Sequence, residues 1–180
     1  MSGTILADED GALHLLAERV VNANREAGRM VALAESCTGG LVCAAITDIA
    51  GSSDVLSAGF VTYSNASKVA LLGVAEDILA TFGAVSPACA WAMAQGALKY
   101  AGADVAVAIT GIAGPGGGSE EKPLGMVVFS RKLRGQSDED AYTVIRHFDP
   151  ALGRAGIRRQ AALFALELLL PESDCLKGCG

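Results

Sequence analysis

Early in the chain, Leu13, Leu15, Leu16, Val20 and Val21 recur at helical spacing with Glu18, Arg19 and Arg25 between them. This pattern predicts an amphipathic helix from Gly11 to Ala27, stopped by Gly28. The apolar run Met30 to Ala34 predicts a buried strand, and the small residues from Leu41 to Ala50 predict a helix. Gly51-Ser52-Ser53 is a turn. Ala58 to Tyr63, rich in β-branched and aromatic residues, predicts a second strand. Ser64-Asn65 can cap a helix from Ala66 to Leu72 that Gly73 ends, and Glu76 to Phe82 predicts a short helix. Ser86-Pro87 opens a helix that runs to about Tyr100 and ends at Gly102. Val105 to Ile109 is almost wholly apolar, as a central strand is. A Gly-rich loop, Thr110 to Ser119, follows it. Met126 to Lys132 and Tyr142 to Phe148 predict two more strands, and Gly153 to Leu170 a closing helix.

Helices and strands mostly alternate, which predicts a three-layer α/β/α sandwich with a mixed, mostly parallel sheet. The last two strands are consecutive, so at least one antiparallel pairing is expected. The 180 residues read as a single domain with a core from about residue 11 to 170 and short tails at both ends. In such sheets ligands sit beyond the carboxyl ends of the strands. Both Gly-rich loops follow strands and should meet in one pocket.

Composition narrows the function classes. Only 5% of residues are aromatic and 22 are Gly, which suits helices packed closely on a sheet. A net charge of −6 does not indicate a large basic face for nucleic acid. No apolar run reaches the roughly 18 residues that span a bilayer, so no membrane partner is expected. The polar, acidic start Met1 to Gly11 does not fit a signal peptide, which points to the cytoplasm. Cys37, Cys43 and Cys89 sit among apolar or small residues and read as buried thiols of a reducing compartment. Cys175 and Cys179 follow Pro171 with no His nearby, and read as a frayed tail; no metal site is expected.

The candidate chemistry lies in Ala34-Glu35-Ser36-Cys37-Thr38-Gly39-Gly40, where a strand feeds a helix. Gly lets backbone N–H groups approach a ligand, and a helix start supplies unpaired donors and a positive dipole end. Ser36 is the first candidate nucleophile and Cys37 its rival; a plain N-cap serine is the competing reading. A serine needs a base. His14 falls on the surface of the first helix and His147 at the end of a late strand, so a Ser-His-Asp triad stays open. The alternative base is Lys68, one helical turn after Val61-Thr62-Tyr63-Ser64-Asn65. A partly desolvated lysine loses proton affinity and can act as a base, with Tyr63 beside it. A solvated surface lysine is the competing reading. The loop Thr110 to Ser119 matches neither the Walker A spacing nor the dinucleotide fingerprint; it reads as a phosphate or ribose cradle, against a plain surface turn. One of Arg146, Arg154, Arg158 and Arg159 could clamp an anion.

Taken together, AESCTGG (34–40), DIAGSS (48–53), GFVTYSN (59–65), Lys68, LLGV (71–74), GAVS (83–86) and AITGIAGPGGGSEEKPLG (108–125) resemble the C-terminal domain of the competence/damage-inducible protein A (CinA) family. The resemblance runs from about Gly11 to Leu170. Stand-alone members of that family are nicotinamide-nucleotide amidohydrolases, which hydrolyse nicotinamide mononucleotide to nicotinate mononucleotide and ammonia. The resemblance implies Ser36 as nucleophile, Lys68 as general base, and Tyr63 to assist proton transfer or orient Ser36. It implies a substrate pocket lined by Glu35, Cys37, Thr38, Gly39, Gly40, Thr110, Gly111, Gly114, Gly116, Gly117 and Gly118. Arg154 matches the arginine of the family's Phe-x-Gly-Asp-Arg, although here the run Phe148-Asp149-Pro150-Ala151-Leu152-Gly153-Arg154 is longer. Some family members carry a large N-terminal nucleotide-hydrolysing domain, for which this chain has no room. No cofactor is implied. The expected partners are the nucleotide substrate and further copies of the chain. A non-catalytic or differently specific nucleotide-binding module is the other function class.

Overall fold

The structure, a computed structural model, describes residues 3–175. The side chain of Cys175 and all of Cys179 lie outside what it describes. The first helix, α1 (Gly3–Glu26), begins well before Gly11. The expected N-terminal tail is therefore mostly helical. Helix formers on both sides of Gly11 outweigh the roughly 1 kcal/mol that one interior glycine costs.

The chain continues through β1 (Val31–Glu35), α2 (Leu41–Thr47), β2 (Leu56–Val61), α3 (Asn65–Leu72), α4 (Glu76–Phe82) and α5 (Pro87–Ala101). It closes with β3 (Val105–Gly111), β4 (Met126–Leu133), β5 (Tyr142–His147) and α6 (Gly153–Leu168). The strands form one mixed sheet in the order β2-β1-β3-β4-β5. The pairs β1–β2 and β1–β3 are parallel, and β3–β4 and β4–β5 antiparallel. Four strands thus point one way and β4 alone is reversed. Thr110 and Gly111, expected to open the Gly-rich loop, are the last rungs of β3, opposite Val128 and Val127.

The period of two along the strands sorts the layers. Val31, Leu33, Val105, Val107 and Ile109 face α1, α2 and α6 in the larger core. Ala32, Ala34, Ala106 and Ala108 alternate with them and face α5, which is itself mostly small residues. Alanine against alanine lets α5 lie close on the sheet. The closeness extends to α3, whose end touches α5 at Gly96, where a Cβ would overlap the Leu72 carbonyl oxygen. The helix carrying Lys68 is therefore seated on α5 at near backbone contact. Among the described residues no helix is long and apolar enough to cross a membrane.

Gly96→Ala tests that seating. Helix propensity favours alanine by up to about 1 kcal/mol, but the obstacle is backbone and cannot turn away. The expected outcome is a net loss of stability, read as a fall of roughly 5 °C in Tm by calorimetry. An unchanged or raised Tm would show that α3 and α5 can separate without cost.

Candidate active site

Three loops meet at the carboxyl edge of the parallel strands. Because β1 lies between β2 and β3, the loop after β1 is flanked by the loop after β2 on one side and the Gly-rich loop on the other. In an open α/β sheet this is the crevice where ligands bind.

The loop after β1 is shaped by Glu35, which is fully buried. Its carboxylate accepts from the N–H groups of Gly40 at 2.9 Å, Val42 at 3.3 Å and Cys43 at 2.9 Å. The start of α2, expected to hold an anion, is thus filled by the protein's own carboxylate. Glu35, expected at the substrate, instead closes the turn from behind. Gly39 and Gly40 take left-handed conformations, with φ of 62° and 94°, that bend the chain back over it. From the other side, the Arg158 guanidinium donates to the carbonyls of Cys37 at 3.1 Å and Thr38 at 2.7 Å. Arg158 was one of four interchangeable arginines in the sequence; its four-residue spacing from Arg154, which puts both on one helix face, was the available signal.

Little backbone is left for a ligand in this loop. Ser36 N–H bonds the Ile109 carbonyl at 2.9 Å, and Gly39 N–H the Ser36 carbonyl at 3.1 Å. The Thr38 N–H meets no acceptor among the described residues, but Thr38 is fully buried and its hydroxyl is also without a partner. The Cys37 N–H remains, next to its own thiol. That thiol is pushed up to about 12, chiefly by burial, and stays protonated at neutral pH. Cys37 is therefore a poor rival to Ser36.

Lys68 reaches Ser36 from the neighbouring loop. Ser64 and Ser67 form a reciprocal capping box that starts α3, so Lys68 projects from the first turn back under the sheet edge. The residue is 1% exposed. Its Nζ donates to the Thr62 carbonyl at 2.7 Å and meets Ser36 Oγ at 3.1 Å. Burial holds its proton affinity below that of an ordinary lysine; the nearest opposing influences are the Cys89 and Cys37 thiols. No carboxylate pairs with it among the described residues. The solvated-lysine reading is therefore wrong for Lys68, and Ser36 is more than an N-cap, since Gly40 occupies that position for α2.

Tyr63 is placed differently. Its side chain is 61% exposed, and its hydroxyl accepts from Arg154 at 2.6 Å, with no bond to Ser36 or Lys68 among the described residues. Arg154 also donates to the Gly114 carbonyl at 2.6 Å, tying the Gly-rich loop to the rim. The longer run before Arg154 is absorbed by a 3-10 turn, Pro150–Leu152, capped by Asp149. Gly116, Gly117 and Gly118 are exposed along the loop, whereas Gly111 sits in β3 against Val127 and Thr110 turns its hydroxyl to the Ala84 carbonyl at 2.8 Å. Thr110, Gly111 and Thr38 are thus part of the frame behind the pocket.

The remaining candidates lie elsewhere. His147 ends the outer strand β5, with β3 and β4 between it and β1, and His14 is exposed on α1. Neither reaches Ser36, so the triad reading falls. Arg159 bonds Asp10 at 2.7 Å and Arg146 stacks on Phe164. Among the described residues no group of three His, Cys, Asp or Glu could hold a metal ion.

A doubly wound α/β/α sandwich with a serine hydroxyl against a buried lysine amine, at the carboxyl edge of its parallel strands, defines the class. The chain belongs to the CinA C-terminal domain family, which matches residues 13–172. It is 49% identical over 160 residues to the nicotinamide-nucleotide amidohydrolase PncC of Enterobacter agglomerans, covering 89% of this chain and 94% of that protein. The PncC of Escherichia coli K12 is 49% identical over 161 residues with the same coverage. A CinA-like protein of Kosmotoga olearia is 44% identical over 154 residues, covering 86% of this chain, but this chain spans only 36% of its length. Among solved structures, the competence/damage inducible protein CihA of Agrobacterium tumefaciens superposes with a TM-score of 0.82 at 48% identity, covering 88% of this chain and 93% of that one. The competence damage-inducible protein A of Klebsiella pneumoniae gives 0.83 at 34% identity, over 91% and 99%.

Glu35→Gln removes the charge that closes the loop carrying Ser36 and turns an amide NH₂ toward backbone N–H groups. Leaving one or two buried donors without an acceptor costs about 1–3 kcal/mol. The expected result in urea unfolding is an unfolding free energy lowered by that amount, seen as a lower midpoint with an unchanged m-value. Wild-type stability in the variant would mean that the loop is held by Arg158 alone.

Proposed function

We propose that this protein hydrolyses the carboxamide of nicotinamide mononucleotide to nicotinate mononucleotide and ammonia, through an acyl intermediate on Ser36. The observation that carries the reading is the 3.1 Å approach of Lys68 Nζ to Ser36 Oγ at a lysine that burial drives toward its neutral form. Relatives named nicotinamide-nucleotide amidohydrolase, at 49% identity over nearly their whole length, support the substrate. Three thiols outside any disulfide, at Cys37, Cys43 and Cys89, suit a reducing cytoplasm.

The steps follow from the geometry. Neutral Lys68, oriented by the Thr62 carbonyl, takes the Ser36 proton as Oγ bonds to the amide carbon. The carbonyl oxygen becomes an oxyanion, and the Cys37 N–H is the loop donor open to it. The tetrahedral adduct collapses, the C–N bond breaks, and the Lys68 ammonium returns its proton to the departing nitrogen, releasing ammonia. Lys68, neutral again, takes a proton from a water that attacks the ester. A second collapse frees the carboxylic acid and restores Ser36. In this scheme the substrate's phosphate lies toward the Gly114–Gly118 loop, with Arg154 as its cation.

Ammonia release from nicotinamide mononucleotide by the purified protein tests the activity itself. Ser36→Ala should lose roughly a thousandfold or more in kcat, while Cys37→Ser keeps most of it. An active Ser36→Ala protein would refute the serine mechanism.

The lysine sets the pH dependence. Only the neutral amine accepts the proton, so kcat/KM should rise with pH along an acid limb whose midpoint lies below the ordinary lysine value of 10.5. Lys68→Arg should remove the limb along with the activity, since a guanidinium stays charged. A limb at or above the ordinary value would mean that Lys68 is not the base.

A further inference from the structure

Arg154 stands against the local electrostatics of its own helix. It is the second residue of α6, whose first turn holds no acidic residue, so a cation there opposes the helix dipole at some cost in stability. It is exposed, and no carboxylate pairs with it among the described residues. Two neutral oxygens hold it instead, the Gly114 carbonyl and the Tyr63 hydroxyl, each at 2.6 Å. A charge kept in an unfavourable place by neutral acceptors, at the rim of a site, is arranged for an anion that arrives later.

The donor count supports the same conclusion. A guanidinium has five N–H donors. One from each terminal nitrogen is used, which leaves Nε–H and one N–H on each terminal nitrogen. The two existing bonds fix the plane of the fork. The Tyr63 oxygen accepts from Arg154, so its own proton remains to be donated. Ser36 and Lys68 meanwhile complete their pairing through the Thr62 carbonyl without the phenol.

From this we infer that Tyr63 is a positioning and specificity residue for a phosphate monoester, acting through Arg154, and not a proton-transfer partner of Ser36. Tyr63, Arg154 and the Gly114 carbonyl form a preorganised clamp. The phenol holds the guanidinium in its binding orientation and adds one neutral hydrogen bond to the phosphate. The inference rests on the nucleotide-amidase reading, but its test separates the two.

The experiment compares wild type, Tyr63→Phe, Arg154→Ala and the double variant. Ammonia release is measured with nicotinamide mononucleotide and with nicotinamide riboside, which lacks the phosphate. Binding of ribose 5-phosphate is measured by calorimetry without turnover. Tyr63→Phe should cut the preference for the phosphorylated substrate by about five- to tenfold, and weaken ribose 5-phosphate binding by a similar factor. In the Arg154→Ala background the same change should add less than about twofold, because the two act as one unit. The acid limb of the pH profile should stay where it is. An equal fall in kcat on both substrates with a displaced acid limb would overturn the proposal and return Tyr63 to proton transfer. Unchanged ribose 5-phosphate binding in Tyr63→Phe, or no binding in wild type, would overturn it too. Absence of ammonia release from both substrates in wild type would instead defeat the amidase reading, while the calorimetry still reports on the clamp.

Discussion

The site depends on a buried carboxylate that binds the protein's own backbone. Glu35 ends β1 and caps α2 in the same gesture, drawing three backbone N–H groups onto its two oxygens. A buried carboxylate persists only when its lone pairs are filled, so the loop between strand and helix has little freedom. Ser36, inside that loop, inherits the constraint. Arg158 holds the same loop by its carbonyls from α6, which joins the opposite end of the chain to the loop that carries Ser36. A helix start with bare donors would bind anions; this one is filled by the protein's own carboxylate.

Burial sets the surroundings of Lys68. The alanine face of the sheet lets α5 lie close, and α5 in turn seats α3 at Gly96. Lys68 is carried under the sheet edge with two oxygens and two thiols for company and, among the described residues, no carboxylate paired with it. An ammonium there is poorly solvated, which lowers the proton affinity of Lys68 below that of an ordinary lysine. The small residues that give this chain its composition are thus part of how Lys68 comes to be buried.

The rim is organised by opposite physics. Tyr63, Arg154 and residues 116–118 of the Gly-rich loop are exposed, and hydrogen bonds join Arg154 to Tyr63 and to the buried Gly114. The Ser36–Lys68 pairing thus reaches beneath the sheet edge, and the Tyr63–Arg154 pairing lies at its exposed rim. Under the proposed function, the amide lies at the first and the phosphate at the second.

Local pattern was enough for much of this. The alternation of apolar runs and capped helices placed the five strands and, to within a few residues, most helices. AESCTGG, TYSN with Lys68, and the Gly-rich segment marked the three site loops, because a turn that needs Gly or a cap writes itself in adjacent residues. The N-terminal extent of α1 escaped, since Gly11 reads as a boundary when its neighbours in fact outweigh it. Thr110 and Gly111 read as loop because β3 continues only by pairing with β4, a partner distant in sequence. The roles escaped for the same reason. Whether Glu35 faces a ligand or its own backbone, whether Lys68 is solvated or buried, and which arginine meets which loop are set by contacts between segments far apart in the chain. Residue type and spacing determine which groups can do chemistry, and only the packing of the three layers decides which of them meet.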